Sequence, residues 1–379
     1  MIKLPGRPGI DLPELPAPPE PGAGKDFIMD KKLRMGIVGC GAMTINSHVF
    51  AFPLLTDICT VTSVCDINRE KAETAANKLG GDIFVTTDYR EMVGHVDAVL
   101  VVLPHEVHYE CGVFFAEHGV HVLMEKPLCN TEEEVESLTR IAEENNVKLM
   151  CAYPVRFWRG IAKLKELLDS GEYGRIIQMS IWTEQFTRRE DYNANGVYEE
   201  YKIKNLGGGQ LFSHGCHYID LLLWFLGKPV SGMHIGSNVG TEWMEREGTS
   251  NVVMTFENGA MAYHFGTWGA RGTSHGYTFQ VFTDKGFFEY QRDIATLTYK
   301  TNLHPNPDQP IVMTWDFRDR SKQTQYEIRH FLECVRDDRR PMIDGYDSLQ
   351  SIKVIKRLYE AEERGEIADL RGLGFRDRD

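Results

Sequence analysis

From Leu33 onward the chain alternates short apolar runs with amphipathic ones. Leu33–Val38 is an apolar run that stops at Gly39-Cys40-Gly41; a helical run follows, then a second apolar stretch over 60–65 that ends on Asp66. Arg69–Leu79 has helical spacing, 83–85 reads as a short strand, and 88–93 reads as a helical turn. Residues 96–103 are apolar almost throughout, the pattern of a strand covered on both faces. A helix to His118, a strand over 120–124, a helix starting at Thr131-Glu132-Glu133-Glu134 and a strand over 147–151 continue the alternation. Acids in that first turn suit a helix N-terminus. Strands and helices alternating at this size predict the α/β class, a doubly wound parallel sheet of Rossmann type that binds ligand at the carboxyl ends of its strands.

The pattern changes after Tyr153. A helix is predicted over 161–168, an alternating, half-solvated strand over 176–183, and an apolar helix over 218–226 that follows Gly207-Gly208-Gly209. Strand pairs around Glu257-Asn258-Gly259 and Asp284-Lys285-Gly286 have hairpin signals, and helices over 326–335 and 348–362 close the chain. This half reads as an α+β domain with a mainly antiparallel sheet. Residues 1–30 contain Pro5, Pro8, Pro13, Pro16, Pro18, Pro19 and Pro21, which exclude helix and central strand. That segment is either a disordered leader or an extended arm on a neighbouring subunit, anchored by Leu4, Ile10, Leu12 and Leu15. The expected division is an arm over 1–30, a cofactor domain over 31–155 and a substrate and oligomerisation domain over 156–379.

Composition narrows the function. With 379 residues there is room for two cores, and a net charge of −13 makes nucleic acid or an anionic membrane a poor partner. The 8 cysteines form no Cys-x-x-Cys pair, as expected for free thiols in a reducing cytoplasm. No apolar run reaches the ~20 residues of a membrane span, and the N-terminus has no signal-type apolar core.

The chemistry starts at the first turn. Gly39 allows the chain to turn tightly, and Gly41 has no Cβ to hold a pyrophosphate away. Ala42, Met43 and Thr44 open the helix whose N–H groups would meet phosphates, and the Thr44 hydroxyl stands where a third Gly or Ala is usual. Asp66 is placed to accept from ribose hydroxyls and to repel a 2′-phosphate, which favours NAD over NADP; Arg69 weakens that preference slightly. Lys126 closes a parallel strand. It is either a proton shuttle on a reacting hydroxyl, its pKa lowered by desolvation and a nearby cofactor, or a surface lysine held by Glu125. His217 is either a general base or a satisfied structural histidine.

Gly-x-Gly, Pro104-x-x-x-His108, Glu125-Lys126-Pro127 and Gly207-Gly208-Gly209 with Gly215-x-His217-x-x-Asp220 occur in this order. Over residues 33–370 the chain resembles the Gfo/Idh/MocA oxidoreductases, which include glucose–fructose oxidoreductase and inositol dehydrogenase. The resemblance implies a Rossmann domain joined to a domain with a large open antiparallel sheet that often forms the subunit interface, hence a homo-oligomer. It implies catalytic roles for Lys126 and His217, and cofactor contacts from Pro104, His108, Glu125 and Lys126; His105, which stands where many relatives have Asn, is a candidate contact to cofactor or substrate. Tyr153, Arg156, His214 and Asp220 become substrate-binding candidates; for Arg156 an interdomain ion pair, and for Asp220 a helix-start acid or an orienter of His217, are the other readings. The family's usual aspartate four residues before the histidine is Ser213 here, which shifts the burden to Lys126 or to His214. His214, His217 and Asp220 could together ligate a metal, but nothing else in the sequence supports one. Trp182, Phe186, Tyr198, Tyr201 and Trp268 are available to stack on sugar faces.

The expected activity is NAD-dependent oxidation of a secondary ring hydroxyl of a sugar, glycoside or cyclitol. NAD-assisted glycoside cleavage, a sugar–sugar oxidoreductase recycling a bound cofactor, and a non-catalytic sugar or NAD sensor are the alternatives.

Overall fold

The computed structural model describes residues 32–188, 208–303, 311–317 and 323–376; the proline-rich segment lies outside them. The first half is a parallel sheet of strands β1 (Leu33–Val38), β2 (Cys59–Cys65), β3 (Phe84–Thr86), β4 (Ala98–Val101), β5 (His121–Glu125) and β6 (Leu149–Ala152), in the order β3-β2-β1-β4-β5-β6. Every residue of β4 is fully buried, as its unbroken apolar sequence requires; each large apolar side chain removed from water contributes about 1.5–3 kcal/mol. Strand order reverses between β1 and β4, so the crevice beyond their carboxyl ends is the ligand position of such a sheet.

Local signals fix the helices. Helix α2 (Arg69–Leu79) starts at Asn68, whose side chain accepts from the backbone of Glu70 and Lys71. Helix α3 (His108–Glu117) packs on α4 (Glu132–Glu144), which has the reciprocal capping box of Thr131 and Glu134. Helix α1 (Ala42–Asn46) differs from the expected helical run. It is only 5 residues long and gives way to 3-10 turns at His48–Phe50 and Phe52–Leu54, the second containing Pro53.

The second half is a nine-stranded sheet in which β7 (Ile176–Glu184) and β10 (Met261–Thr267) pair in parallel and the other neighbours are antiparallel. Strands β8 (Pro229–Ser237), β13 (Thr296–Thr301) and β14 (Ile311–Asp316) extend it beyond the strands the sequence indicates. Helices α5 (Arg159–Asp169), α6 (Cys216–Leu226) and α8 (Gly345–Arg364) complete the packing, with α7 (Thr324–Arg336) ahead of α8. Helix α8 packs on α4, α6 and β8, so one buried core runs continuously from the first sheet to the second. No helix among the described residues is long and apolar enough to cross a membrane.

Candidate active site

The turn after β1 is held by close packing. Gly39 has φ 93°, and a Cβ there would lie 2.1 Å from the Val102 carbonyl oxygen; only glycine tolerates both the conformation and the approach. Gly41 has an ordinary φ of −75°, and a Cβ on it would meet nothing within 4 Å. The first glycine serves the fold, and the second faces open space at the switch point. At the end of β2 the Asp66 carboxylate accepts from Cys40 N–H at 2.8 Å and from Asn68 N–H at 2.8 Å. The carboxylate is thereby fixed, with lone pairs left for hydroxyl donors. A bare glycine over open space and an oriented acid at the neighbouring strand end fit a dinucleotide. Burial, followed by the Asp66 charge, pushes the Cys40 thiol up to about 12, so it stays protonated beside this turn.

Two expectations at this turn need correction. Thr44 is fully buried and its hydroxyl donates to the Gly39 carbonyl at 2.6 Å, so it braces the turn and does not reach a phosphate. Because α1 is one turn long, anion binding here rests on local N–H groups, including those of exposed Ala42 and half-buried Met43, more than on a long helix dipole. Exposed Arg69 is turned to Glu73, at 2.9 Å.

At the end of β5, Lys126 Nζ donates to the Ser213 carbonyl oxygen at 2.7 Å. Ser213 lies in a π-helical turn, Leu211–Gly215, that runs into α6, a distortion often met at functional positions. At the position where the resemblance implies an aspartate partner for the histidine, the residue is Ser213, and its backbone oxygen holds the lysine. His217 follows four residues later in the first turn of α6, 9% exposed, edge-on to Tyr153 at 5.5 Å and to His214 at 5.9 Å. His214 is half-buried; Gln210 Nε2 lies 3.3 Å from its Nδ1, and the Tyr277 hydroxyl 3.4 Å from its Nε2.

The π-turn is supported from behind. Glu247 Oε1 accepts from Leu211 N–H at 2.9 Å and from the Tyr359 hydroxyl at 2.8 Å, and that hydroxyl accepts from Phe212 N–H at 3.3 Å. A carboxyl group from a distant loop thus satisfies donors at the start of the helical segment. Burial raises the Glu247 pKa. Gly209, with φ 104°, has no room for a Cβ, which would lie 2.8 Å from the Tyr359 hydroxyl. Neither Glu247 nor Tyr359 has a sequence signal of its own. Gly209 has one, as the residue beside them that must lack a side chain.

Several predicted site residues are sealed in the structure. Arg156 and Asp220 form a fully buried bidentate pair, 2.7 Å from Nε to Oδ2 and 2.7 Å from Nη2 to Oδ1, with Arg156 Nη1 also on the Met342 carbonyl at 3.1 Å. They hold α6 to the turn after β6 and are sealed from solvent; Arg156 is in an ion pair, but with a residue of its own half of the chain and not across the two domains. Tyr153 is 0% exposed and meets His217 through its ring edge. His108 is buried, with ring nitrogens 2.9 Å from the Pro127 carbonyl and 2.8 Å from the Leu103 carbonyl, so it clips the chain after β5 to the chain after β4. His105 is 4% exposed and packs on His108. The Glu125 carboxylate is held by His48 Nε2 at 2.9 Å and accepts from Lys126 N–H at 3.2 Å; it orients the lysine's backbone and does not reach outward. Nearby Glu327 is fully buried, and burial followed by the Glu125 charge raises its pKa well above the carboxylate range. Pro104 remains exposed at the switch-point crevice.

Among the aromatics, Trp268 is buried 6.4 Å from the His214 ring, Trp182 packs on His275, and Phe186 is 53% exposed. Tyr198 and Tyr201 lie outside the described residues. Among the described residues no group of His, Cys, Asp and Glu is arranged to hold a metal ion.

Comparison with known proteins accords with this geometry. Residues 33–153 match the model of an oxidoreductase family with an NAD-binding Rossmann fold, and residues 161–289 match the GFO/IDH/MocA C-terminal domain. The chain is 24% identical over 338 residues to scyllo-inositol 2-dehydrogenase (NAD(+)) of Bacillus subtilis (strain 168), covering 86% of this chain and 93% of that one. It is 28% identical over 223 residues to D-glucoside 3-dehydrogenase of Escherichia coli (strain K12), covering 58% of this chain and 62% of that one. In another curated relative the match spans 55% of the length. Levoglucosan dehydrogenase, in its complex with NADH and levoglucosan, has the same fold, with a TM-score of 0.81 over 90% of this chain and 100% of that one at 18% identity. The chain is a member of the Gfo/Idh/MocA oxidoreductase family, with an NAD-binding Rossmann domain and the family's C-terminal domain.

Proposed function

We propose that this chain is an NAD-dependent dehydrogenase that oxidises a secondary ring hydroxyl of a sugar, glycoside or cyclitol. One observation carries the reading most: Lys126 Nζ, at the carboxyl edge of the first sheet, donates 2.7 Å to the Ser213 carbonyl on the segment that also bears His217. An ammonium at the crevice where the Rossmann sheet takes its cofactor is thereby tied to the segment that carries an imidazole. The inositol and glucoside dehydrogenases named above support the substrate class.

Gly41, Ala42, Met43, Asp66 and Pro104 would hold NAD, which when bound supplies the hydride acceptor. Lys126, anchored by Ser213, donates a hydrogen bond to the reacting hydroxyl oxygen and fixes it toward the cofactor face. His217 takes the hydroxyl proton as the C–H bond breaks. The sealed Arg156–Asp220 pair holds α6, and with it His217, in place. On the outward face of the second sheet, Met233, Ile235, Val253 and Met261 are 42% to 60% exposed, with Met233 directly opposite Val253. Such a contiguous apolar face supports a homo-oligomer formed through this sheet.

The test uses a panel of sugars, glycosides and cyclitols with NAD, followed at the NADH absorbance band. The reading expects steady NADH production from at least one ring alcohol. An NAD-loaded protein that turns over no member of the panel counts against it.

A further inference from the structure

This inference rests on the dehydrogenase reading above and adds the charge of the substrate. Arg292 opens the short turn Arg292–Ile294 that follows β12 (Phe287–Gln291). Its guanidinium carbon lies 4.6 Å from the Trp158 ring centroid and 5.3 Å from that of Tyr277. Those two rings stand edge to face, 6.3 Å apart. Tyr277 in turn places its hydroxyl 3.4 Å from His214 Nε2, and the His214 ring lies 5.9 Å from that of His217. Arg292 thus rests on an aromatic shelf that leads, through Tyr277 and His214, to the proposed base.

Arg292 differs from the arginines that carboxylates hold in place. Arg34 is paired with Asp97, Arg156 with Asp220 and Arg329 with Asp57. Arg292 is half-buried, its Nε is sealed without an acceptor, and no carboxylate among the described residues pairs with it. In a chain of net charge −13 with 55 acidic residues, carboxylates are plentiful, yet none among the described residues is placed here. Stacking on aromatic faces fixes the plane of a guanidinium and leaves its in-plane N–H groups to form hydrogen bonds. That fork matches the oxygens of a carboxylate or a phosphate.

We propose that Arg292 is an anion subsite of the active-site crevice, and that the substrate is a sugar or glycoside carrying a carboxylate or phosphate group. The anionic group sits on the guanidinium while the reacting ring hydroxyl lies at Lys126 and His217. Arg292 then acts as a specificity determinant: it selects acidic sugars over neutral ones of the same ring.

The experiment compares D-glucuronate, D-glucose 6-phosphate and methyl α-D-glucopyranoside on the full-length, NAD-loaded protein, reading the thermal midpoint and NADH formation. At least one acid should raise the midpoint and exceed the neutral glycoside in kcat/KM by about 30-fold or more. The acid with the larger ratio identifies the group as carboxylate or phosphate. In Arg292→Gln the ratio should fall to about threefold or less, and Arg292→Lys, which keeps the charge without the fork, should retain part of it. A midpoint like that of the wild type shows that the variants are folded. No shift with either acid, or an acid preference that survives Arg292→Gln, overturns the subsite. A neutral glycoside oxidised as well as both acids also overturns it, and leaves the dehydrogenase reading standing. A shift with an acid but no NADH from any sugar has the opposite effect: the subsite stands and the dehydrogenase reading falls.

Discussion

The turn at Gly39–Asp66 and the crevice at Lys126–His217 lie in one continuous core, yet they are built on different terms. The turn is almost entirely backbone: a glycine that permits a 2.1 Å approach, a second glycine that opens space, and an acid held by two N–H groups within a short stretch of chain. The crevice is made of side chains from distant segments. Lys126 reaches across 87 residues to Ser213, Arg156 across 64 to Asp220, and Tyr359 across 112 to Glu247. The first region constrains the sequence locally. The second constrains it only through pairs, and a chain can supply the same support from many positions.

Mutation should separate the two regions. The largest effect is expected at the crevice: His217→Ala should lower kcat by about a hundredfold or more while NAD affinity stays within about threefold. Equal loss of both would merge the two regions into one. Next, Arg156→Met leaves Asp220 charged and buried, and should cost about 3–5 kcal/mol in denaturant unfolding; the double change Arg156→Met with Asp220→Leu should recover much of that loss. A single substitution that unfolds no more easily than the wild type would show that the pair is not structural.

A pH experiment probes the packing beneath the crevice. His264 is fully buried against Tyr218, and burial lowers its pKa to about 3 from 6.5. The folded state therefore favours the neutral ring. Its stabilising contribution is complete above pH 6.5 and declines as pH falls toward 3, by about 2–3 kcal/mol between pH 6.5 and 4.5. His264→Gln should flatten that part of the stability profile, and an unchanged slope would assign it elsewhere. The smallest effect is expected at the turn. Gly41→Ala should leave the thermal midpoint unchanged and weaken NAD binding by about tenfold, whereas Gly39→Ala should lower the midpoint itself.

The legibility of the sequence follows the same division. Both sheets were readable, because the unbroken burial of β4 and the hairpin turns at Asn258-Gly259 and Lys285-Gly286 leave local marks. The edge strand β14 is not, since it is largely exposed and has little apolar pattern. The positions of Gly39, Gly41 and Asp66 follow from spacing alone. For Arg156 and Asp220 the sequence leaves substrate-facing and structural readings open, because a charged residue near a site has the same sequence signature whether it faces a ligand or another side chain. Thr44 and His108 failed for a related reason: their polar atoms satisfy backbone carbonyls that no sequence pattern announces. Glu247 and Arg292 lie in segments without any motif, and only three-dimensional placement brings them to the site.

The most direct test of the central claim is to measure NAD affinity and the single-turnover rate of hydride transfer on one preparation of Lys126→Ala. The account predicts NAD binding within about threefold of the wild type and a transfer rate lower by about a hundredfold or more. Transfer at the wild-type rate would contradict it.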